Sequence, residues 1–417
     1  MAQRKKKPSG HQLQTIAQAH HKNEFLRKLK YTINSCVGED IYSLIPTLIL
    51  NNLYTLRHHS LLIIPAEGHS VRNEILSNAK RLLVPQIKLD RFVLPQNGSK
   101  TTLEDYLTVC LTIRSLFHSI EENQFHNANK IKLALAAFCE DEETYVQFFT
   151  YLSSLLQVMG NIESRIGGSL YWFKHEFKGD ADFKSGVYNA VIIHKYDAES
   201  IHVRINDAVR PVIRLGWPCS QNGIEWVTIS PSLLNLQGQS SDKPMKVYIQ
   251  SHAIHRFTER IDSLHLAVSH SDIFNSFRNP IICCDSHHNL LIEYRISEIK
   301  AGYFRIEVVD KIIVVKTFLF LTQSGTPEGD LLGKNTGLNM LDKKYLAIDK
   351  LSTFMSSDID KNEQINKIFS DAGCQSLLEL YDKIDQLCTK RSNQSMSMLM
   401  LDYLGYVNNP MIEVIPE

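Results

Sequence analysis

Apolar positions recur at three- and four-residue spacing through most of the first 178 residues, and this period predicts helices. Residues 11–35 and 40–57 carry it. Residues 70–83 resume it after a Pro-Ala-Glu-Gly turn. The run Thr101-Thr102-Leu103-Glu104 is a capping box and opens a helix that the pattern extends to Phe117. Residues 127–138 and 142–159 complete a helical bundle. After the small polar linker 179–186 the period moves towards two. Residues 187–194, 200–205, 209–215 and 224–230 read as short strands, with Asn206-Asp207 and Asn222-Gly223 at turns. A polar stretch, 237–243, leads to a strand at 245–249. Next come a helix over 251–261 and a second over 271–278. Strands at 290–296, 303–309 and 312–321 follow, the last two joined at Asp310-Lys311. From Thr326 the helical period returns, at 345–355, 362–370, 376–387 and 395–404.

Helices, then strands, then helices predict an α+β multi-domain chain. A chain of 417 residues exceeds one typical core, so the expected division is into modules. These are a helical domain with a basic start (1–178), a small β meander (187–236), an antiparallel sheet carrying one or two helices (245–323), and a helical C-terminal region (327–417).

Composition narrows this little: 43% hydrophobic and 22% charged residues suit an ordinary globular protein, and a formal net charge of zero argues against a surface-wide polycation. Charge is uneven, however. Arg4, Lys5, Lys6 and Lys7 make the start basic, while Asp358, Asp360, Glu363 and Asp371 make the final third acidic. No apolar run reaches bilayer length and no signal-peptide core follows the basic start, so no membrane contact and a cytoplasmic location are expected. The eight cysteines are dispersed without a C-x-x-C pair, which predicts reduced, mostly buried thiols and no structural metal. Asp285-Ser286-His287-His288-Asn289 reads as a polar hairpin loop.

The sharpest chemical pattern is Ser251 to Ile261, SHAIHRFTERI. As a helix it sets His252, Arg256 and Arg260 on one face, with Ala253, Phe257, Ile261 and Leu264 on a neighbouring apolar stripe. Together with the strand residues Val314-Val315-Lys316-Thr317-Phe318, this segment resembles small bacterial domains with an H-A-x-x-R-x-x-E-R helix, related to the RelE and BrnT type of toxin ribonuclease. The resemblance covers about residues 245–323. It implies a compact module of one or two helices before an antiparallel sheet, and metal-independent RNA cleavage without a cofactor.

That chemistry needs a base for the ribose 2′-hydroxyl, cations for the phosphorus and an acid for the leaving oxygen. His252 suits base or acid, because its unperturbed pKa lies near neutrality. Arg256 and Arg260 suit the phosphate through bidentate contacts. Glu259 either orients a guanidinium or serves as the alternative base. Lys316 and Thr317 follow each other on a strand, so regular alternation points only one of them towards the helix. The resemblance favours Thr317, and charge favours Lys316 as phosphate ligand. The expected function is therefore nucleic-acid processing or binding, with RNA as partner. The competing expectation is a non-enzymatic interaction protein whose helical regions hold a protein partner and whose central module is inert.

Overall fold

The computed structural model describes residues 10–89, 91–94, 100–179, 186–205, 207–219, 223–234, 243–264 and 266–384, with residues 400 and 404. It has helical N- and C-terminal regions around a sheet-rich centre, an α+β fold. The chain divides into two compact units, Met1–Met159 with Trp172–Lys195, and Gly160–Tyr171 with Tyr196–Glu417. Expected boundaries at 178, 236 and 323 do not coincide with this division. The modules anticipated at 245–323 and 327–417 fall in one unit, because strand and C-terminal helix residues share one hydrophobic core.

In the first unit, helix α1 (Gly10–Val37) is followed by strand β1 (His58–Pro65) and helix α2 (Asn73–Leu89). Thr102 caps the next helical stretch by accepting a hydrogen bond from Asp105 N at 3.0 Å. That stretch passes through a π-helical turn, Tyr106–Cys110, into α3 (Leu111–Ser119). Helices α4 (Ala128–Cys139) and α5 (Glu142–Glu163) follow. The helical spacing of these segments matches the expectation. The sheet does not: β1, β2 (Ser169–Gly179) and β3 (Val187–Asp197) lie in the order β1-β3-β2. Strand β1 runs parallel to β3, from His58 opposite Val187 to Pro65 opposite Ile193. A parallel partner so far along the chain leaves no hairpin signal, so the helical period over 40–57 and 70–83 leaves His58–Pro65 without an expected element.

The second unit is built on an eight-stranded sheet. Its strands include β4 (Ser200–Ile205), β5 (Ala208–Arg214) and β6 (Met245–Ile249). Helices α6 (Ser251–Arg260) and α7 (Leu266–Arg278) come next. Then follow β7 (Ile282–Cys284), β8 (Leu290–Ile296), β9 (Ile299–Val309) and β10 (Ile312–Phe320). The sheet order is β7-β8-β9-β10-β6-β5-β4, with the short strand Thr228–Ile229 also paired to β6. Pairing is antiparallel except between β6 and β10. A parallel neighbour is required there because the long α6-to-β9 excursion returns the chain beside β6 in the same direction.

Helix α8 (Pro327–Thr336) begins at Thr326, whose hydroxyl accepts from Gly329 N at 2.9 Å. A side chain at Gly329 would sit 1.8 Å from the Gln323 carbonyl oxygen, so only glycine allows this close approach. Helices α9 (Glu363–Asp371) and α10 (Gln375–Ile384) complete the described elements. Residues expected as one helix over 345–355 instead form Met340–Tyr345 and Leu351–Ser356, broken where Ala347 takes a positive φ of 51°. All of the helix expected at 395–404 except residues 400 and 404, the turn residues Asn206 and Asn222, and the basic run Arg4–Lys7 lie outside the described residues. Among the described residues no helix is long and apolar enough to cross a membrane.

Candidate functional site

Helix α6 forms where expected because its apolar residues fall on one side. Ala253 and Phe257 are buried, and the Phe257 ring lies 5.1 Å from Tyr294, 5.7 Å from Phe304 and 5.1 Å from Phe318. This aromatic cluster anchors the helix to one face of the sheet. The flank then carries His252, His255, Arg256, Glu259 and Arg260. His252 is exposed at the first turn. Its pKa is lowered, first by partial desolvation, then by Arg256, Arg260 and His255, against which only Glu259 acts. Arg256 pairs with Glu259 at 2.7 Å, and that hydrogen bond lowers the Glu259 pKa.

Arg260 has a different destination. Strand β6 pairs with β10 only at Ile313, Val314 and Val315, so the following residues of β10 lack a strand on that side. The Arg260 guanidinium donates to the Phe318 carbonyl there. Burial lowers its pKa to about 10, assisted by Arg256 and opposed by Asp349 and Glu259. Arg260 thus satisfies a backbone acceptor at an open strand edge.

The strand residues do not join this flank. Between Arg305 and Ile306 of β9 the register shifts: Ile306 faces Val315 and Arg305 faces Thr317, which leaves Lys316 as the extra residue of a β-bulge. Val315 and Phe318 both pack into the core beneath α6, although three positions apart. Lys316 and Thr317 therefore both lie on the opposite face, with Arg305 and Glu307. Lys316 Nζ pairs there with Glu307 Oε2 at 2.5 Å, and Thr317 Oγ1 makes only a long 3.4 Å contact to the Phe318 carbonyl. The expected choice between Lys316 and Thr317 as the helix's companion does not arise, because the bulge breaks the alternation on which it rested. Helix α6 brings His252, Arg256, Glu259 and Arg260 together; Lys316 is engaged by Glu307 instead, and Thr317 meets the flank only through the Phe318 carbonyl that also accepts from Arg260.

Other sequence features settle into structure. Trp217 is buried at 1% exposure and packs 5.7 Å from Phe274, so it is core. Asp285 accepts from His287 N at 2.9 Å, Asn289 N at 2.8 Å and Asn289 Nδ2 at 2.7 Å, the bonding of a closed polar loop. At the Thr326 turn, buried Glu328 accepts from Lys300 Nζ at 2.5 Å and from the Tyr303 hydroxyl at 3.0 Å. Its carboxylate occupies the first turn of α8, which favours negative charge.

The first unit contains a feature that no local motif announces. A cleft of about 290 Å³ is lined from α1 by His21, Glu24 and Lys28, by Arg57 just before β1, from β1 by His58 and His59, and from later segments by Lys88, Glu104 and Asp105. Lys28 pairs with Asp105 at 2.6 Å and Lys88 with Glu104 at 3.7 Å. His58 is buried; its backbone N–H donates to Thr112 Oγ1 at 3.0 Å and its Nε2 lies 3.2 Å from Ser115 Oγ. Burial lowers its pKa to about 4, with smaller contributions from His175 and His59, so its ring is neutral at pH 7. Asn189 fixes the strand start by donating to the His59 carbonyl at 2.6 Å and the Leu107 carbonyl at 3.1 Å. Among the described residues no group of three or more His, Cys, Asp or Glu side chains is placed to hold a metal ion.

Comparison of the chain with family models, with curated proteins and with solved structures gives no match.

Proposed function

We propose that the second unit binds a nucleic-acid backbone through the flank of α6, with His252 and Arg256 as the phosphate-contacting residues. The observation that carries this reading is the grouping of four basic side chains, His252, His255, Arg256 and Arg260, on one helix flank, with Glu259 among them and Asp349 beside Arg260. Phosphate oxygens complement such a cluster, and Arg256 can exchange its half-exposed partner Glu259 for a phosphate at little cost. RNA cleavage is the finer version. It draws on the resemblance of the H-A-x-x-R-x-x-E-R segment to RelE- and BrnT-type ribonucleases, and on a His252 whose neighbours favour the neutral, proton-accepting ring. In that version His252 takes the 2′-hydroxyl proton and Arg256 holds the phosphate. Lys316 takes no part in this reading, because its ammonium is held by Glu307.

The experiment is RNA binding and RNA integrity with the full chain beside His252→Ala and Arg256→Ala. Binding that weakens in both variants and falls with added salt supports the phosphate reading. Binding that is absent, or unchanged in both variants, rejects it. Strand scission lost in His252→Ala at RNA concentrations that restore its weakened binding supports the cleavage version.

A second reading has its own observation. On the short helix Met340–Tyr345, Met340, Leu341 and Tyr345 are 67%, 70% and 69% exposed. Large apolar side chains this open suit a protein partner. Co-purification lost in Leu341→Asp would support it.

A further inference from the structure

The geometry points to a second, independent site: we propose that the cleft of the first unit binds a compact oxyanion, with Arg57 as its anchor. Arg57 lies half-buried on the cleft wall. Its guanidinium stacks over the Tyr54 ring, 4.1 Å from the centroid, and donates to the Tyr54 carbonyl. Among the described residues it has no carboxylate within ion-pair distance. Burial lowers its pKa, opposed only by the phenols of Tyr54 and Tyr188. A guanidinium carries five N–H donors in a planar fork and stays charged, so one carbonyl and one ring leave most of its capacity unused.

None of the three acids lining the cleft is within ion-pair distance of it. Asp105 is engaged by Lys28 at 2.6 Å and Glu104 faces Lys88 at 3.7 Å. The remaining acid, Glu24, is exposed on α1. Behind Arg57, His58 is neutral and buried, so the wall is poorly polarisable and an incoming negative charge is attracted more strongly than in water. The backbone at Arg57 is itself fixed. Its carbonyl accepts from Val187 N at 3.1 Å, and a side chain at Gly186 would sit 2.4 Å from that carbonyl oxygen. An anchor held this way loses little freedom on binding.

The volume limits the ligand. About 290 Å³ lies at the lower end for small-molecule sites, so the occupant is a small ion or metabolite. The chemistry shared by inorganic phosphate, a short phosphomonoester and a small carboxylate is an oxyanion able to take two parallel N–H donors.

Isothermal titration calorimetry of the full chain with inorganic phosphate, glycerol 2-phosphate and acetate, at fixed ionic strength, tests this. The expected result is one site for at least one of the three, weakened about tenfold or more in Arg57→Gln, the loss of a charge-assisted donor pair. Arg57→Lys should fall between, because it keeps charge without the fork. Arg72→Gln, which removes an exposed cation away from the cleft, should bind as wild type. Which probe binds tightest identifies the source of the oxyanion. An unchanged far-ultraviolet spectrum and melting temperature in Arg57→Gln assign the loss to the site rather than to misfolding. No binding of any probe overturns the proposal, as does equal binding by Arg57→Gln. Loss of binding in Arg256→Gln with retention in Arg57→Gln also overturns it, and would transfer the anion to α6.

Discussion

Arg260 of the second unit and Arg57 of the first are the same side chain in similar half-buried positions, and burial lowers the pKa of both. They differ in what receives them. Arg260 reaches the Phe318 carbonyl at an open strand edge and has Asp349 among its neighbours. Arg57 has the Tyr54 carbonyl and ring and, among the described residues, no acid within ion-pair distance. The contrast teaches that a buried cation is informative through its unspent hydrogen-bonding capacity rather than through its burial. Arg260 belongs to the framework that holds α6, and Arg57 remains available to a ligand.

The test with the largest expected effect asks whether α6 is a fixed platform at all. Phe257→Ala removes the ring at the centre of the Tyr294, Phe304 and Phe318 cluster and should cost about 3–5 kcal/mol, read as a lower urea midpoint. A cost near zero would mean that α6 is not held by this face.

Acid sensitivity gives each unit a buried histidine to compare: His58 in the first and His270 in the second, each lowered by burial to about 4. Since the folded value lies below the ordinary 6.5, the unfolded chain takes up the proton first. Stability is therefore full above about pH 6.5, declines as pH falls towards 4, and loses roughly 3 kcal/mol per histidine across that window. Denaturant midpoints measured from pH 7 to pH 4 check this, and His58→Gln or His270→Gln should each flatten the curve.

Next comes the arginine contrast itself. Arg260→Ala strands the Phe318 carbonyl and should cost about 1–3 kcal/mol. Arg57→Ala should change stability by no more than about 0.5 kcal/mol, because little of the fold depends on it. Equal costs in the two variants would erase the distinction. Arg256→Ala should have a similarly small stability effect, since its half-exposed pair with Glu259 contributes about 0–1 kcal/mol. Its consequence should appear instead in the salt dependence of RNA binding, where the slope falls by about one.

How much of this was legible in the sequence follows from where the determinants lie. Helix α6 was readable because Ala253, Phe257 and the basic flank repeat within ten residues. The hairpin of β9 and β10 was readable from Asp310-Lys311, both of which take positive φ. The side-chain directions of Lys316 and Thr317 were not readable. A bulge depends on the match between β10 and β9, and within β10 alone Val315-Lys316-Thr317-Phe318 is an unremarkable strand. Strand β1 was hidden for a related reason, since its parallel partner β3 follows nine intervening helices and strands. The cleft was least legible of all. It is assembled from four separate stretches, 21–28, 57–60, 88 and 104–109, and becomes a unit only when the sheet and helices bring them together.

The short reach of β6 has one more consequence. Past Val315, β10 carries Phe318 and Phe320 beside an edge with no neighbouring strand, and the Arg260 side chain of α6 covers it. A bare apolar edge of that kind recruits strands from other molecules. Helix α6 therefore also guards against self-association, and a variant that loosens it should be lost to aggregation before it is lost to unfolding.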